Sequence, residues 1–104
     1  SKELVMFYMN RIAKFDKDGP NLNAIIEINP HALFIAEALD YERKKQGVRG
    51  LLHGIPVLLK DNIETNDSMH TSAGSLALES YISNQDAFLV DKASSINEFF
   101  GNKF

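Results

Sequence analysis

The sequence predicts an α/β fold, and three observations lead to that prediction. Apolar residues recur at helical spacing near the start of the chain, two short apolar runs have the length of strands, and turn formers separate these segments. The 104 residues include 44% hydrophobic and 24% charged residues, which is typical of a globular domain. We therefore expect residues 1–104 to form a single domain.

The first predicted element is an amphipathic helix over residues 3–15. Leu4, Tyr8 and Ile12 recur at helical spacing, and the turn formers of residues 16–20 end the segment. Its apolar stripe needs a surface to pack against.

A buried strand and a second helix are predicted next. Residues 22–28 are short and rich in isoleucine, which favours a strand. Asn29 then has the position of an N-cap and Pro30 that of the first helical residue. The basic residues 43–45 suit the negative end of the helix dipole, and Gly47 ends the helix.

The second half of the chain alternates loops with shorter elements. Residues 50–54 are predicted as a loop and residues 55–59, an unbroken apolar run, as a buried strand. Residues 65–74 are rich in turn formers, residues 75–78 favour a short helix, and residues 86–92 favour another, capped by its first residue.

Composition excludes several classes of function. The net charge is −3, without the basic stripe that nucleic-acid binding needs, so we expect no nucleic-acid partner. No apolar run approaches the roughly 18 residues of a membrane span, so we expect no membrane partner. The absence of cysteine removes disulfides and thiol chemistry and is typical of a cytoplasmic protein.

One acidic segment resembles a calcium loop only in part. Asp16, Asp18 and Glu27 match its first, third and twelfth positions, but Pro20 stands at the fifth and Asn21 replaces the glycine of the sixth. We therefore expect no calcium site.

Histidine and serine spacing gives no other catalytic or metal signature. His31, His53 and His70 show no paired metal-ligand spacing, and no G-x-S-x-G turn presents a serine nucleophile. We expect no metal and no cofactor.

Lys60 directly follows the apolar run of residues 55–59. A lysine at a sheet end that is shielded from water loses its charge more readily and can act as a base. The alternative is an ordinary lysine whose stem lies on the strand while its head reaches water or pairs with Asp61. The residues alone favour this second interpretation.

A family resemblance favours the catalytic interpretation of Lys60 instead. Residues 50–63, GLLHGIPVLLKDNI, followed by residues 71–75, TSAGS, closely resemble the N-terminal part of amidase-signature hydrolases. Residues 22–25, 29–30 and 86–90 stand in the order that this family shows. The resemblance extends over about residues 4–92, and its lysine-containing run is highly specific.

The resemblance implies a Ser, cis-Ser, Lys triad that hydrolyses carboxylic amides of small molecules, with Lys60 as the lysine. The lysine would act through the cis-serine on the nucleophile and later protonate the leaving amine. It also implies a mixed sheet flanked by helices, of which this chain would form the N-terminal part. The particular amide is not specified by these residues.

The two serines of such a triad are missing from the sequence. Ser94 and Ser95 form the only tandem, and no glycine flanks them, so we expect them to have no catalytic role. Residues 95–100 faintly echo a later family segment, and we interpret residues 93–104 as a divergent tail. The sequence therefore predicts a truncated amidase-like protein that is inactive alone.

Two alternatives remain for such a chain. Open sheet edges and helix stripes would be covered either by further copies, giving a homo-oligomer, or by a complementing chain that bears the two serines. In the first case the chain is a non-catalytic interaction module, and in the second it supplies Lys60 to a shared site.

Overall fold

The computed structural model describes residues 1–96 and 101–103. Within these residues three α-helices and three short strands follow one another as α1 (Lys2–Arg11), β1 (Glu27–Ile28), α2 (Ala32–Gln46), β2 (Val57–Leu59), α3 (Phe88–Ile96) and β3 (Gly101–Lys103). This order of elements agrees with the α/β class.

The first predicted helix is confirmed, but its end is wider than an α-helix. A π-helical turn, Ile12–Asp16, continues α1 directly. The N–H of Lys17 donates to the carbonyl of Ile12 at 3.1 Å, five residues back, as π-helical geometry requires. The helical segment therefore ends on Asp16, whose side chain is buried.

The best-packed part of the core lies between α1 and α2. Val5 of α1 is buried against Ala32, Ala36 and Leu39 of α2. The two alanines on the facing side of α2 let the helices approach closely. Leu39 is fully buried in this contact between the helices. Burial of such a leucine contributes about 1.5–3 kcal/mol.

The ends of α2 agree with the prediction only at the C-terminus. Gly47 follows the last helical residue at φ +84°, a conformation that favours glycine. At the start, His31 and not Asn29 occupies the N-cap position. The Asn29 side chain instead accepts the N–H of His31 at 2.9 Å, so residues 29–31 form a turn before the helix.

The strand predicted over residues 22–28 is mostly wrong. Only Glu27–Ile28 pairs as a strand, and Leu22 and Ile26 are exposed. Asn21 and Asn23 have φ of +53° and +51°, which interrupts an extended backbone. Residues 22–26 are an irregular segment, bound to Asp16 through the N–H groups of Ala24 and Ile25, rather than a buried strand.

The second predicted strand, residues 55–59, is shorter than expected. Only Val57–Leu59 is a strand; Leu59 is buried, whereas Leu58 is half exposed. The prediction of a fully buried run is therefore wrong for these residues, because one face of the strand has no cover within the described chain.

The sheet joins distant parts of the sequence. Its strand order is β1-β3-β2, with β3 antiparallel to β1 and parallel to β2. Asn102 pairs with Ile28 on one side and Leu58 on the other. The strand nearest the end of the chain thus lies at the centre.

Two short helices were predicted near the end of the domain. The first is confirmed as a 3-10 turn, Leu76–Leu78. The second begins at Phe88 and continues to Ile96, later at both ends than the predicted 86–92. Its predicted cap, Asp86, instead accepts the N–H of Asn66 at 2.6 Å. The echo in residues 95–100 falls largely on residues 97–100, outside the described residues.

Candidate active site

Lys60 lies where β2 ends. Leu59 before it and Asp61 after it are both buried, while Lys60 itself is exposed. The carbonyl of Lys60 accepts the N–H of Ile63 at 3.0 Å, so the chain turns immediately after the strand. The lysine is therefore presented from the carboxyl end of a sheet strand.

The Asp61 side chain has a defined partner. Its Oδ2 accepts the hydroxyl of Ser72 at 2.5 Å, although the residue is only 5% exposed. A hydroxyl bound to a carboxylate at this distance forms a strong, charge-assisted hydrogen bond. Asp61 thus ties the end of β2 to the TSAGS segment of residues 71–75.

The TSAGS segment forms a tight turn next to this bond. Ala73 and Gly74 have φ of +51° and +72°, and the N–H of Ser75 donates to the carbonyl of Ser72 at 2.8 Å. Two successive residues of positive φ are typical of a type I′ turn. Alanine rarely adopts this conformation, so the surrounding contacts must hold it there.

The residues before the turn are also fixed. Thr71 is buried and its N–H donates to the carbonyl of Tyr81 at 2.9 Å. The N–H and Nδ1 of His70 both contact the Glu27 carboxylate, at 2.7 and 2.9 Å. The turn is therefore attached to β1, to β2 and to the loop before α3.

The residues of the rejected calcium pattern have structural roles. Asp16 accepts the N–H groups of Ala24 and Ile25, at 2.5 and 3.1 Å, and Glu27 contacts His70. Within the part of the chain that the structure describes, no three histidine, aspartate or glutamate residues group as metal ligands do.

The other two histidines also make structural contacts. His53 is 1% exposed; its Nε2 contacts the carbonyl of Leu39 at 2.9 Å and its Nδ1 the N–H of Arg49 at 3.2 Å. This ring joins the 50–54 loop to α2. Nε2 of the exposed His31 lies 3.1 Å from Oγ of Ser68, at the surface.

The Asp61–Ser72 bond is the feature that sequence reasoning missed. One signal pointed toward it: side chains of an extended segment alternate between faces, so Asp61 returns to the buried side on which Leu59 lies. A buried carboxylate needs a hydrogen-bond donor, and the next segment is rich in hydroxyls. Which hydroxyl it binds depends on the turn.

Comparison with known proteins gives the family of this chain. The Amidase family model matches residues 3–95, so the chain belongs to the amidase family. This confirms the resemblance found in the sequence.

The relatives include amidases and amidotransferases. The chain is 46% identical over 94 residues to a probable amidase of Arabidopsis thaliana, covering 88% of this chain and 18% of that protein. It is 39% identical over 93 residues to a glutamyl-tRNA(Gln) amidotransferase polypeptide of Methylobacillus flagellatus, again covering 88% of this chain and 18% of that protein.

Solved structures share the fold. A native peptide amidase from Stenotrophomonas maltophilia is 46% identical with a TM-score of 0.87, over 96% of this chain and 20% of that one. An amidase family protein from Bacillus anthracis is 39% identical with a TM-score of 0.89, over 98% of this chain and 20% of that one. The chain thus spans about a fifth of the relatives that it matches.

The described residues contain no helix that is both long and apolar enough to cross a bilayer.

Proposed function

We propose that this chain supplies Lys60 as the base of an amide-hydrolysing site whose two serines lie in a segment outside the 104 residues. The observation that carries the proposal is the position of Lys60 at the carboxyl end of β2, between two buried residues. Ligands of open α/β sheets bind beyond the carboxyl ends of their strands. The substrate class is small-molecule carboxylic amides.

The proposed reaction needs a lysine that holds and releases one proton. The nucleophilic serine attacks the amide carbonyl carbon, and its proton passes through the bridging cis-serine to the neutral Nζ of Lys60. When the C–N bond breaks, Lys60 returns a proton to the leaving amine. Water then attacks the acyl-serine, which releases the carboxylic acid and restores the serine.

Lys60 is exposed in the described chain, and the serine-bearing segment would shield its side chain from water. In that proposal the mixed sheet, of which β1, β2 and β3 form one part, continues into the same segment. The 104-residue polypeptide, which contains no glycine-flanked serine pair, does not hydrolyse amides by itself.

The test uses a chimaera with a structurally similar enzyme. Residues 3–95 replace the matching segment of the Stenotrophomonas maltophilia peptide amidase, and release of ammonia from a peptide amide is measured. We expect Lys60→Ala to lower kcat by about 10²- to 10⁴-fold, the usual contribution of a general base.

Two further variants separate the base from a simple positive charge. Lys60→Arg keeps the charge but holds no removable proton near neutral pH, so it should be as inactive as Lys60→Ala. Lys44→Ala removes an exposed lysine from the last turn of α2 and should retain full activity. A chimaera that remains active with Lys60→Ala would refute the proposal.

A second candidate function rests on the uncovered apolar surface. A groove of about 630 Å³ runs between α1 and residues 55–58, beside the exposed face of β2. Here a second copy of the chain occupies the groove, and the protein is a self-associating module without catalysis. Light scattering of the 104-residue polypeptide decides: a monomer excludes this function, whereas a stable dimer supports it.

A further inference from the structure

The hydrogen bond between Asp61 and Ser72 joins two segments that are separated by eleven positions in the chain. One end is directly attached to Lys60 through the peptide bond. Asp61 is 5% exposed, so this carboxylate has little access to water and depends on protein donors. Its 2.5 Å bond to the Ser72 hydroxyl supplies one.

The other end of this bond is a turn that needs support. Ala73 has φ of +51°, where a residue with a Cβ atom is strained by about 1–2 kcal/mol. The bond from Ser75 to Ser72 closes the turn, and the bond from Thr71 to Tyr81 fixes its entry. These two bonds fix the backbone before and after Ser72, so the position from which its hydroxyl contacts Asp61 is also fixed.

We propose that Asp61 and Ser72 act as a positioning pair, in which the buried carboxylate and the hydroxyl lock the residue 72–75 turn against the end of β2 and thereby fix the backbone that presents Lys60. This rests on the proposed function of Lys60. Neither residue touches the substrate or the reacting atoms; they act through the geometry of the strand end.

The Asp61–Ser72 bond anchors the turn that follows β2. The turn after β2 is closed by the bond from the N–H of Ile63 to the carbonyl of Lys60, at 3.0 Å. Without the Ser72 hydroxyl, Asp61 turns toward water and the strand end loses its anchor. Lys60 then samples positions away from the one that transfers a proton.

The test measures kcat and KM of the peptide amidase chimaera with Ser72→Ala and Ser72→Thr. A misplacement of about 1 Å at a reacting group costs about 10²-fold in rate, so Ser72→Ala should lower kcat by roughly 10- to 100-fold. KM should change less than about twofold, because the hydroxyl does not bind substrate. Ser72→Thr keeps a hydroxyl and should restore most of kcat.

A second measurement reports directly on the two turns that the Asp61–Ser72 bond joins. Hydrogen exchange measured by mass spectrometry should show faster exchange of the Ile63 and Ser75 amides in Ser72→Ala than in the parent chimaera. The same amides should be protected again in Ser72→Thr.

The matched control is Ser83→Ala. Ser83 is 2% exposed, and its hydroxyl donates to the carbonyl of Gln85 at 2.9 Å, within its own turn. Its loss removes a hydrogen-bonding serine hydroxyl, as Ser72→Ala does, but in the loop before α3 rather than next to β2. We expect lower thermal stability but an unchanged kcat for each folded molecule.

Three outcomes are distinguishable. If Lys60→Ala is inactive while Ser72→Ala keeps its kcat, the positioning pair is refuted and the function of Lys60 stands. If Lys60→Ala remains active, the proposed function itself fails. If Ser72→Ala and Ser83→Ala lower kcat equally, Ser72 has only a general structural role, and the proposal is overturned.

Discussion

At the residue scale, Asp16 shows how one buried carboxylate organises a turn. It ends the helical segment that begins with α1, and its oxygens accept the N–H groups of Ala24 and Ile25. Burial acts to raise the pKa of Asp16, but these two amides and the nearby Lys17 outweigh it, so that the pKa lies below its usual value of 3.8. The ionised form is the one that stabilises the fold.

The lowered pKa of Asp16 predicts that acid weakens the contribution of this residue to stability. Because the pKa of Asp16 is lower in the folded than in the unfolded chain, its contribution to stability is present above the unfolded pKa and is lost as the pH falls through the folded one. Urea unfolding between about pH 6 and pH 3 should therefore show a shallower loss of stability for Asp16→Asn than for the parent.

The control for this prediction is Asp18→Asn. Asp18 is an exposed carboxylate in the same turn, so its replacement should leave the slope of stability against pH unchanged. Equal slopes for the parent and Asp16→Asn would contradict the role assigned to Asp16.

At the element scale, the C-terminus of α2 depends on Gly47. Its φ of +84° lies where residues with a Cβ atom are strained, although no atom lies within 4 Å of the position a Cβ would take. Gly47→Ala should therefore lower the free energy of unfolding by about 1–3 kcal/mol through backbone strain alone. Chemical denaturation measures this change.

Gly50→Ala offers a matched comparison. Its Cβ would also meet no atom within 4 Å, and its backbone is not in the left-handed region. We expect a change in the free energy of unfolding of less than about 0.5 kcal/mol. A loss as large as that of Gly47→Ala would indicate that φ is not the cause.

The helices were predictable from the sequence because their signals are local. Pro30 and Gly47 bracket α2 within one turn at each end, and apolar spacing identified α1. The strands were less predictable, since the partner of β1 and β2 among the described residues is β3, at residues 101–103, far along the chain. A prediction based on apolar content alone therefore overestimated both the length and the burial of the two strands.

The candidate site, too, was only partly predictable from the sequence. Lys60 stood out because it follows an apolar run inside a specific motif. The partner of Asp61 did not, because Ser72 reaches it only through a turn in which an alanine has positive φ. Alanine gives no sequence signal for that conformation.

At the scale of the whole molecule, much apolar surface is open. Leu51 is fully exposed, and Leu76 and Phe88 are 88% and 77% exposed. Exposed apolar surface of this kind marks an interaction site where it forms a contiguous patch. The self-associating candidate assigns a second copy to only one part of this apolar surface, the groove beside α1.

The self-associating candidate makes a sharp prediction. If the 11.7 kDa polypeptide dimerises through the groove beside α1, then Leu58→Lys, in that groove, should weaken the dimer by more than about tenfold, or 1.4 kcal/mol. Sedimentation equilibrium measures the dissociation constant.

Leu51→Lys is the control, because Leu51 is exposed and does not line the groove. It should leave the dimer unchanged. If both substitutions weaken association equally, the contact is a diffuse apolar one, and the groove is not its centre.

The central position of β3 also has a consequence for the order of folding. The contact between α1 and α2 joins residues that all lie in the first half of the chain, so it can form once that half has been synthesised. Within the described residues β1 and β2 pair with β3, so these edges stay unpaired until residues 101–103 have been synthesised. A nascent chain stalled before residue 101 would therefore carry a formed helical pair and unpaired strand edges, which favour aggregation.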